Sequence, residues 1–172
     1  LGIGLNSAVF SVASAFLFRP LPVPRGDEIV VLGQTDASLP APHEMSYPNY
    51  RDFAADTTLF SGLAGFMSST YTIQALNGSG TSRAERAWFD GVTANYFEVL
   101  GLRPHLGRFF RADEDQGSLA HPVVVLSWSF WQRRFGGDSA VVGDTLRVAG
   151  RPMTVIGVAP DGFRGVSSIL TV

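Results

Sequence analysis

The chain has 172 residues, 45% of them apolar, 12% aromatic and 16% charged, with a formal net charge of −2. Length points to one domain, or one plus a fragment, and the apolar content supplies a real core and excludes intrinsic disorder. The near-neutral balance supplies no basic field for nucleic acid. The chain contains no Cys, and all thirteen basic residues are Arg. Disulfides, thiolate metal sites, a Cys nucleophile, a P-loop lysine and a Schiff-base lysine are therefore excluded together.

Residues 1–18, LGIGLNSAVFSVASAFLF, carry no charge. As a helix they would extend about 27 Å, close to a bilayer core of about 30 Å. Gly2, Gly4, Ser7, Ser11 and Ser14 suit close packing against neighbouring membrane helices. A buried soluble helix is the other reading of this segment. A signal peptide fits poorly, since no basic start and no small-residue cleavage site are present. Pro20, Pro22 and Pro24 then stop any helix.

Beyond this boundary, Glu28 to Thr35 reads as a strand, residues 36–45 as a Pro-rich loop, and residues 46–63 as a helix capped by Ser46 that breaks near Thr57-Thr58. Ser69 to Leu76 alternates as a strand, and Asn77-Gly78-Ser79-Gly80 as a turn. Arg83 to Thr93 reads as another strand, with Ala84, Arg86, Trp88 and Asp90 on one face. A short helix, Ala94 to Leu100, ends at Gly101. The run Val123-Val124-Val125-Leu126 has the character of a buried strand. It leads into a helix capped by Ser127 and closed by Gly136-Gly137. Trp128, Trp131 and Phe135 fall on one face of that helix, which predicts a core stripe. Arg133 and Arg134 lie off it, solvated or paired with Asp138 or Asp144. Asp144 to Val148 and Met153 to Val158, split by Ala149-Gly150, predict a hairpin. The fold class is α+β, with mixed and antiparallel sheets and short helices.

The sequence offers little catalytic chemistry. The nucleophile elbow glycine-any-serine-any-glycine is absent; Gly78-Ser79-Gly80 and Gly165-Val166-Ser167-Ser168 miss it. His43-Glu44-Met45-Ser46-Tyr47 fails as a zincin motif, because Tyr47 stands at the second ligand position. His43, His105 and His121 lie far apart, each beside or near Pro in a loop, and read as surface histidines. Asp113-Glu114-Asp115-Gln116-Gly117 lacks the later ligands of a calcium loop. Gly2-Ile3-Gly4-Leu5-Asn6-Ser7 departs from a dinucleotide fingerprint at its last position. Asn77-Gly78-Ser79 is a formal glycosylation sequon. No catalytic, cofactor-binding or metal-binding residue is assigned, no cofactor is expected, and substrate- or partner-binding residues stay unassigned.

Four stretches together resemble a known family: GIGLNSAVFSV with FLFRPLPVPRGDEIVVL, MSYPNYRDF, VTANYFEVLGLRPHLGRFF, and VVVLSWSFWQRRFGGDSAVVGDTLRVAGRPMTVIGVAPDGFRG. They resemble the MacB-like periplasmic core domain of ABC-transporter permeases with an FtsX-like membrane part, especially the large permeases of acidobacteria. The resemblance implies that residues 1–18 are the outer part of the first transmembrane helix and residues 19–172 a periplasmic core domain. It implies a porter-like βαβ unit over about 19–80 and an inserted, mostly β part over about 83–172, with the C-terminal porter unit missing. It also implies a location at the bacterial inner membrane, facing the periplasm. The implied partners are a cytoplasmic ABC ATPase subunit, a second permease copy in a homodimer or pseudo-dimer, and a periplasmic adaptor or substrate protein. In that role the domain is not an enzyme; it passes ATP-driven motion to substrate efflux or hand-over. The alternative is a free-standing secreted envelope enzyme or ligand-binding domain.

Overall fold

In the computed structural model the described residues are 23–36, 39–55, 58–75, 84–116 and 120–166. The expected anchor of residues 1–18, the turn at 77–80 and the sequon lie outside them. Among the described residues no helix is long and apolar enough to cross a membrane.

The described residues begin with turns over 23–28, in which Gly26 N–H donates to Val23 O and Glu28 N–H to Arg25 O. The expected strand 28–35 shrinks to β1 (Gln34–Asp36). Val30 and Val31 are 61% and 63% exposed. Branched side chains favour extended backbone, but a strand also needs a pairing partner, and residues 30–32 have none among the described residues. Part of the expected Pro-rich loop forms β2 (Leu39–His43), antiparallel to β1 in a two-stranded ribbon. Two prolines are tolerated there because a ribbon edge has no second ladder to serve.

The expected helix over 46–63 is shorter: α1 spans Tyr47–Ala55. Ser46 begins it as expected, its Oγ accepting from Asn49 N–H at 3.4 Å. The remaining strands make one six-stranded sheet: β3 (Phe66–Ala75), β4 (Glu85–Val92), β5 (Leu106–Gly107), β6 (Val123–Leu126), β7 (Thr145–Val148) and β8 (Arg151–Val158). The main path runs β4-β3-β7-β8-β5, with β6 also paired to β8. Every pairing is antiparallel except β6 with β8. The sheet therefore draws on both sides of the expected division near residue 80, with β3 before it and β4 to β8 after.

Two cores cover opposite faces of the central strands. The first holds Ile73, Val124, Leu126, Phe130, Trp131, Phe135, Val141, Leu146, Val148, Val155 and Val158. The second gathers Tyr96, Phe97, Leu100, Ala159, Phe163 and Val166, with Phe109, Phe110 and Val125 packed against it. A register shift on β8 connects the two. Val124 pairs with Val155 but Val125 with Gly157, so Ile156 is an extra residue. The bulge lets Val155 and Val158 both reach the first core despite their odd spacing, while Val125 faces the second.

The expected short helix over 94–100 is one turn, α2 (Tyr96–Val99), and the helix α3 (Trp128–Phe135) follows β6. Ser127 Oγ accepts from Phe130 N–H at 3.2 Å, and Gly136 closes the helix in the left-handed region. Trp131 and Phe135 are buried as the stripe predicts, Trp128 is half-buried, and Phe130 joins them. The hairpin β7–β8 turns at Ala149 (φ 49) and Gly150 (φ 81). Positive φ at both central residues gives the turn the hand of the twisted strands it joins.

Arg134 corrects the sequence expectation. Its Nε lies 3.8 Å from Glu85 Oε1 on β4, not beside Asp138 or Asp144, and its side chain is only 14% exposed. Asp138 instead caps the next turn, accepting from Ala140 N–H at 2.9 Å. Arg133 is exposed. Arg134→Ala is thus expected to cost about 1 kcal/mol through lost packing of its stem. Arg133→Ala should stay within about 0.5 kcal/mol. Chemical denaturation of the two variants checks the difference.

Candidate functional site

Among the described residues, none of those singled out for chemistry joins a catalytic or metal arrangement. Among the described residues no group of three His, Cys, Asp or Glu is placed to hold a metal ion. His105 lies against Trp131, ring centroids 5.3 Å apart, and His121 is exposed. His43 ends β2, paired with Gln34.

The acidic run 113–115 forms a short 3-10 turn, Ala112–Asp115. Glu114 is committed to an arginine: Arg108 Nη1 and Nη2 donate to its two oxygens at 2.8 and 2.6 Å. Arg111 N–H donates to Glu114 at 2.8 Å, and Asp115 accepts from Ala94 N–H at 3.2 Å. The hydrogen bonds from Arg108 foremost hold the Glu114 carboxyl down at about 2, against burial. A carboxylate so neutralised is a clasp across the loop, with little left to offer a cation.

This clasp makes stability pH-dependent. The Glu114 pKa is depressed in the fold, from 4.5 to about 2. Its contribution is therefore complete above the unfolded value and is lost as pH falls through that window toward 2. Glu114→Gln is expected to lose about 1.5–3 kcal/mol at pH 7, the worth of hydrogen bonds to a charged group. The variant should converge on the native chain only as pH falls to about 2 in acid titrations followed by circular dichroism.

The arrangement with most bearing on function is a joint between the N-terminal segment and the sheet. It consists of backbone carbonyls and short polar side chains at the ends of β3 and β4. Leu63 O accepts from both Tyr50 Oη on α1 (3.2 Å) and Asn95 Nδ2 (2.9 Å). Thr93 Oγ1 donates to Asn95 Oδ1 at 2.8 Å and accepts from Gly65 N–H at 3.0 Å, while Thr93 N–H returns to Gly65 O at 3.0 Å. Thr93 is buried, and each of its polar groups on this side is satisfied. Asn49 Nδ2 donates to Gln34 Oε1, tying α1 to β1. On the apolar side Val23 and Ile29 pack against the second core, and Pro24 lies beside Gly101.

That core is stiff. Phe97 stacks on Phe109 with centroids 3.9 Å apart and planes 8° apart. Tyr96 Oη accepts from Val166 N–H at 3.3 Å, and burial pushes its pKa up to about 12, so it stays neutral. A displacement of residues 23–29 thus meets a rigid aromatic cluster. Sequence reasoning placed Tyr50 and Leu63 only within the expected helix over 46–63 and gave Thr93 and Asn95 no part in a contact, because two of the accepting groups are backbone carbonyls.

Comparison with known proteins gives this geometry a context. The profile of the MacB-like periplasmic core domain matches residues 1–171, and the chain belongs to that family. Over 85 residues it is 34% identical to the macrolide export ATP-binding/permease proteins MacB of Salmonella paratyphi A and Salmonella typhi. That match covers 48% of this chain and 13% of each relative, so the chain spans a small part of their length. Its fold resembles the crystal structure of the periplasmic region of MacB from Actinobacillus actinomycetemcomitans. The TM-score is 0.60 and identity 20%, over 75% of this chain and 58% of that one. It also resembles the extracellular domain of the noncanonic ABC-type transporter YknZ from Gram-positive bacteria. Here the TM-score is 0.56 and identity 17%, over 69% of this chain and 59% of that one.

Proposed function

We propose that this chain, as a member of the MacB-like periplasmic core domain family, is the periplasmic domain of an ABC-transporter permease held at the bacterial inner membrane. ATP is bound and hydrolysed by a cytoplasmic ABC ATPase, on a separate subunit or domain. Membrane helices carry the resulting motion outward, residues 1–18 among them as the outer part of the first. The periplasmic domain converts it into substrate efflux or hand-over, working with a second permease copy and a periplasmic adaptor or substrate protein. Residues 19–80 supply the first porter-like unit and residues 83–172 the inserted β-rich part.

The observation that carries this reading is the family match over nearly the whole chain. The joint supports it: a lever needs a stiff body reached through a defined contact. Val23, Pro24, Ile29 and Tyr50 make that contact on one side, and Leu63, Asn95 and the second core on the other. The domain acts as a rigid body whose position depends on a nucleotide bound elsewhere. No residue of this chain performs chemistry in that cycle. No arrangement among the described residues favours the alternative of a secreted enzyme.

The test is to delete residues 23–166 from the whole permease, reconstitute it with its ATPase, and follow ATP hydrolysis and export of a macrolide, the probe named by the Salmonella relatives. ATP hydrolysis is expected to persist while export falls to background. Export that survives the deletion overturns the reading.

A further inference from the structure

Among the described residues the sheet ends at β4. Among the described residues β4 pairs only with β3, at eight consecutive positions, and nothing lies on its other side in the ladder. An unprotected eight-residue edge is a template for another strand. Its outer sheet face carries Trp88, which is 64% exposed, directly between Arg86 and Asp90. Among the described residues of the sheet, Trp88 and Met67 are the large apolar side chains left exposed, and of the two Trp88 alone stands on the edge strand.

We propose that β4 pairs antiparallel with β4 of a second copy of this chain, about a two-fold axis through Trp88. The occupant follows from charge and register. A two-fold axis normal to the sheet sets residues of the same face opposite each other, so the choice is which residue sits on the axis. Centred on Arg86 or on Asp90, the pairing sets like charges face to face. Centred on Ala87, it sets Glu85 against Phe89 of the other copy. Centred on Phe89, it sets Arg86 against Val92.

Centred on Trp88, each Arg86 meets the other copy's Asp90, the two Trp88 indoles face each other, and Ala87 meets Phe89 beneath. Opposite charges and paired aromatics are the favourable cross-strand combinations, and this register alone supplies both. Asp90 already accepts from Ser68 Oγ at 2.6 Å, which holds its carboxylate on the shared face. Backbone ladder bonds supply affinity and the side-chain pairs supply register, as in strand addition generally. The pairing gives a surface to the copy-to-copy contact included in the transport reading, but it is argued from β4 alone, and export does not decide it.

The test uses the whole 172-residue chain in mild detergent, and the absence of native Cys makes single-cysteine variants clean. Directly opposed residues lie about 4.5–5.5 Å apart between Cβ atoms, within reach of a disulfide after small adjustment. Trp88→Cys is expected to cross-link into a dimer under mild oxidation. Met67→Cys, exposed but on β3, should not. In sedimentation experiments Arg86→Glu should weaken self-association of the native chain by about tenfold or more, since two attractions become repulsions. Circular dichroism confirms that the variants are folded. A native chain that stays monomeric, equal cross-linking at the two cysteine sites, or an Arg86→Glu chain that associates like the native one overturns the proposal.

Discussion

Replacing Trp131 with alanine is expected to cost about 3–5 kcal/mol, the loss typical of a large buried aromatic. Trp131 is 5% exposed and sits in the first core between α3 and the sheet. Its indole Nε1–H donates to Asp138 O at 2.8 Å, fixing the turn after the helix, and His105 lies against its ring. Truncation leaves both a cavity and a carbonyl without its donor, and the second loss adds to the first. Trp131→Phe keeps most of the volume and should recover more than half of the difference. Urea denaturation at neutral pH reads both variants. A Trp131→Ala cost below about 1 kcal/mol, as at surface sites, would remove Trp131 from the core.

Gly157→Ala is expected to cost about 3 kcal/mol, the upper end for overpacking, because the added methyl meets only backbone. β5 and β8 touch where Gly107 faces Gly157. A Cβ on Gly157 would fall on Arg108 O and lie 2.8 Å from Leu106 O. A Cβ on Gly107 would fall on Ile156 O, and Gly107 also holds φ +68. Neither strand can yield without breaking His105 N–H to Val158 O or Arg108 N–H to Ile156 O. The strand that binds the two cores together therefore depends on a pair of glycines, and Gly157→Ala should unfold at clearly lower denaturant. An alanine tolerated at less than about 1 kcal/mol would mean the two strands separate easily.

Local signals in the sequence were sound where the controlling residues are neighbours. The Ser127 cap, the Gly136 stop and the Ala149-Gly150 turn each depend on residues within a few positions, and each is present. Errors came where partners are remote. Val30, Val31 and Leu32 have strand composition but no strand beside them among the described residues, whereas Leu39–His43 carries two prolines and still pairs. Arg134 reaches Glu85 across the sheet, and no helical spacing predicts that. The parallel β6–β8 pair and the bulge at Ile156 are set by packing of both faces, which periodicity in a single strand cannot express.

The joint was illegible for a related reason. Its members lie from residue 23 to residue 95, and two of its acceptors are the carbonyls of Leu63 and Gly65. The family resemblance reached further than residue chemistry because it reads the order of whole segments, and the profile match over residues 1–171 agrees with it. The Arg108–Glu114 clasp shows the converse: an acidic run that suggests a cation loop is absorbed by one arginine six positions upstream.

In the proposed function, nucleotide binding at the cytoplasmic ATPase moves this domain as a rigid body. The most direct measurement of that movement is the distance between a spin label at Arg133→Cys, on the exposed side of α3, and a second label in the membrane part, in the reconstituted permease with and without ATP. Two distinct distance distributions are expected, one for each nucleotide state, while a second pair of labels placed wholly within the domain keeps one distance in both. A single distribution for the first pair, the same with and without ATP, would contradict the proposed movement.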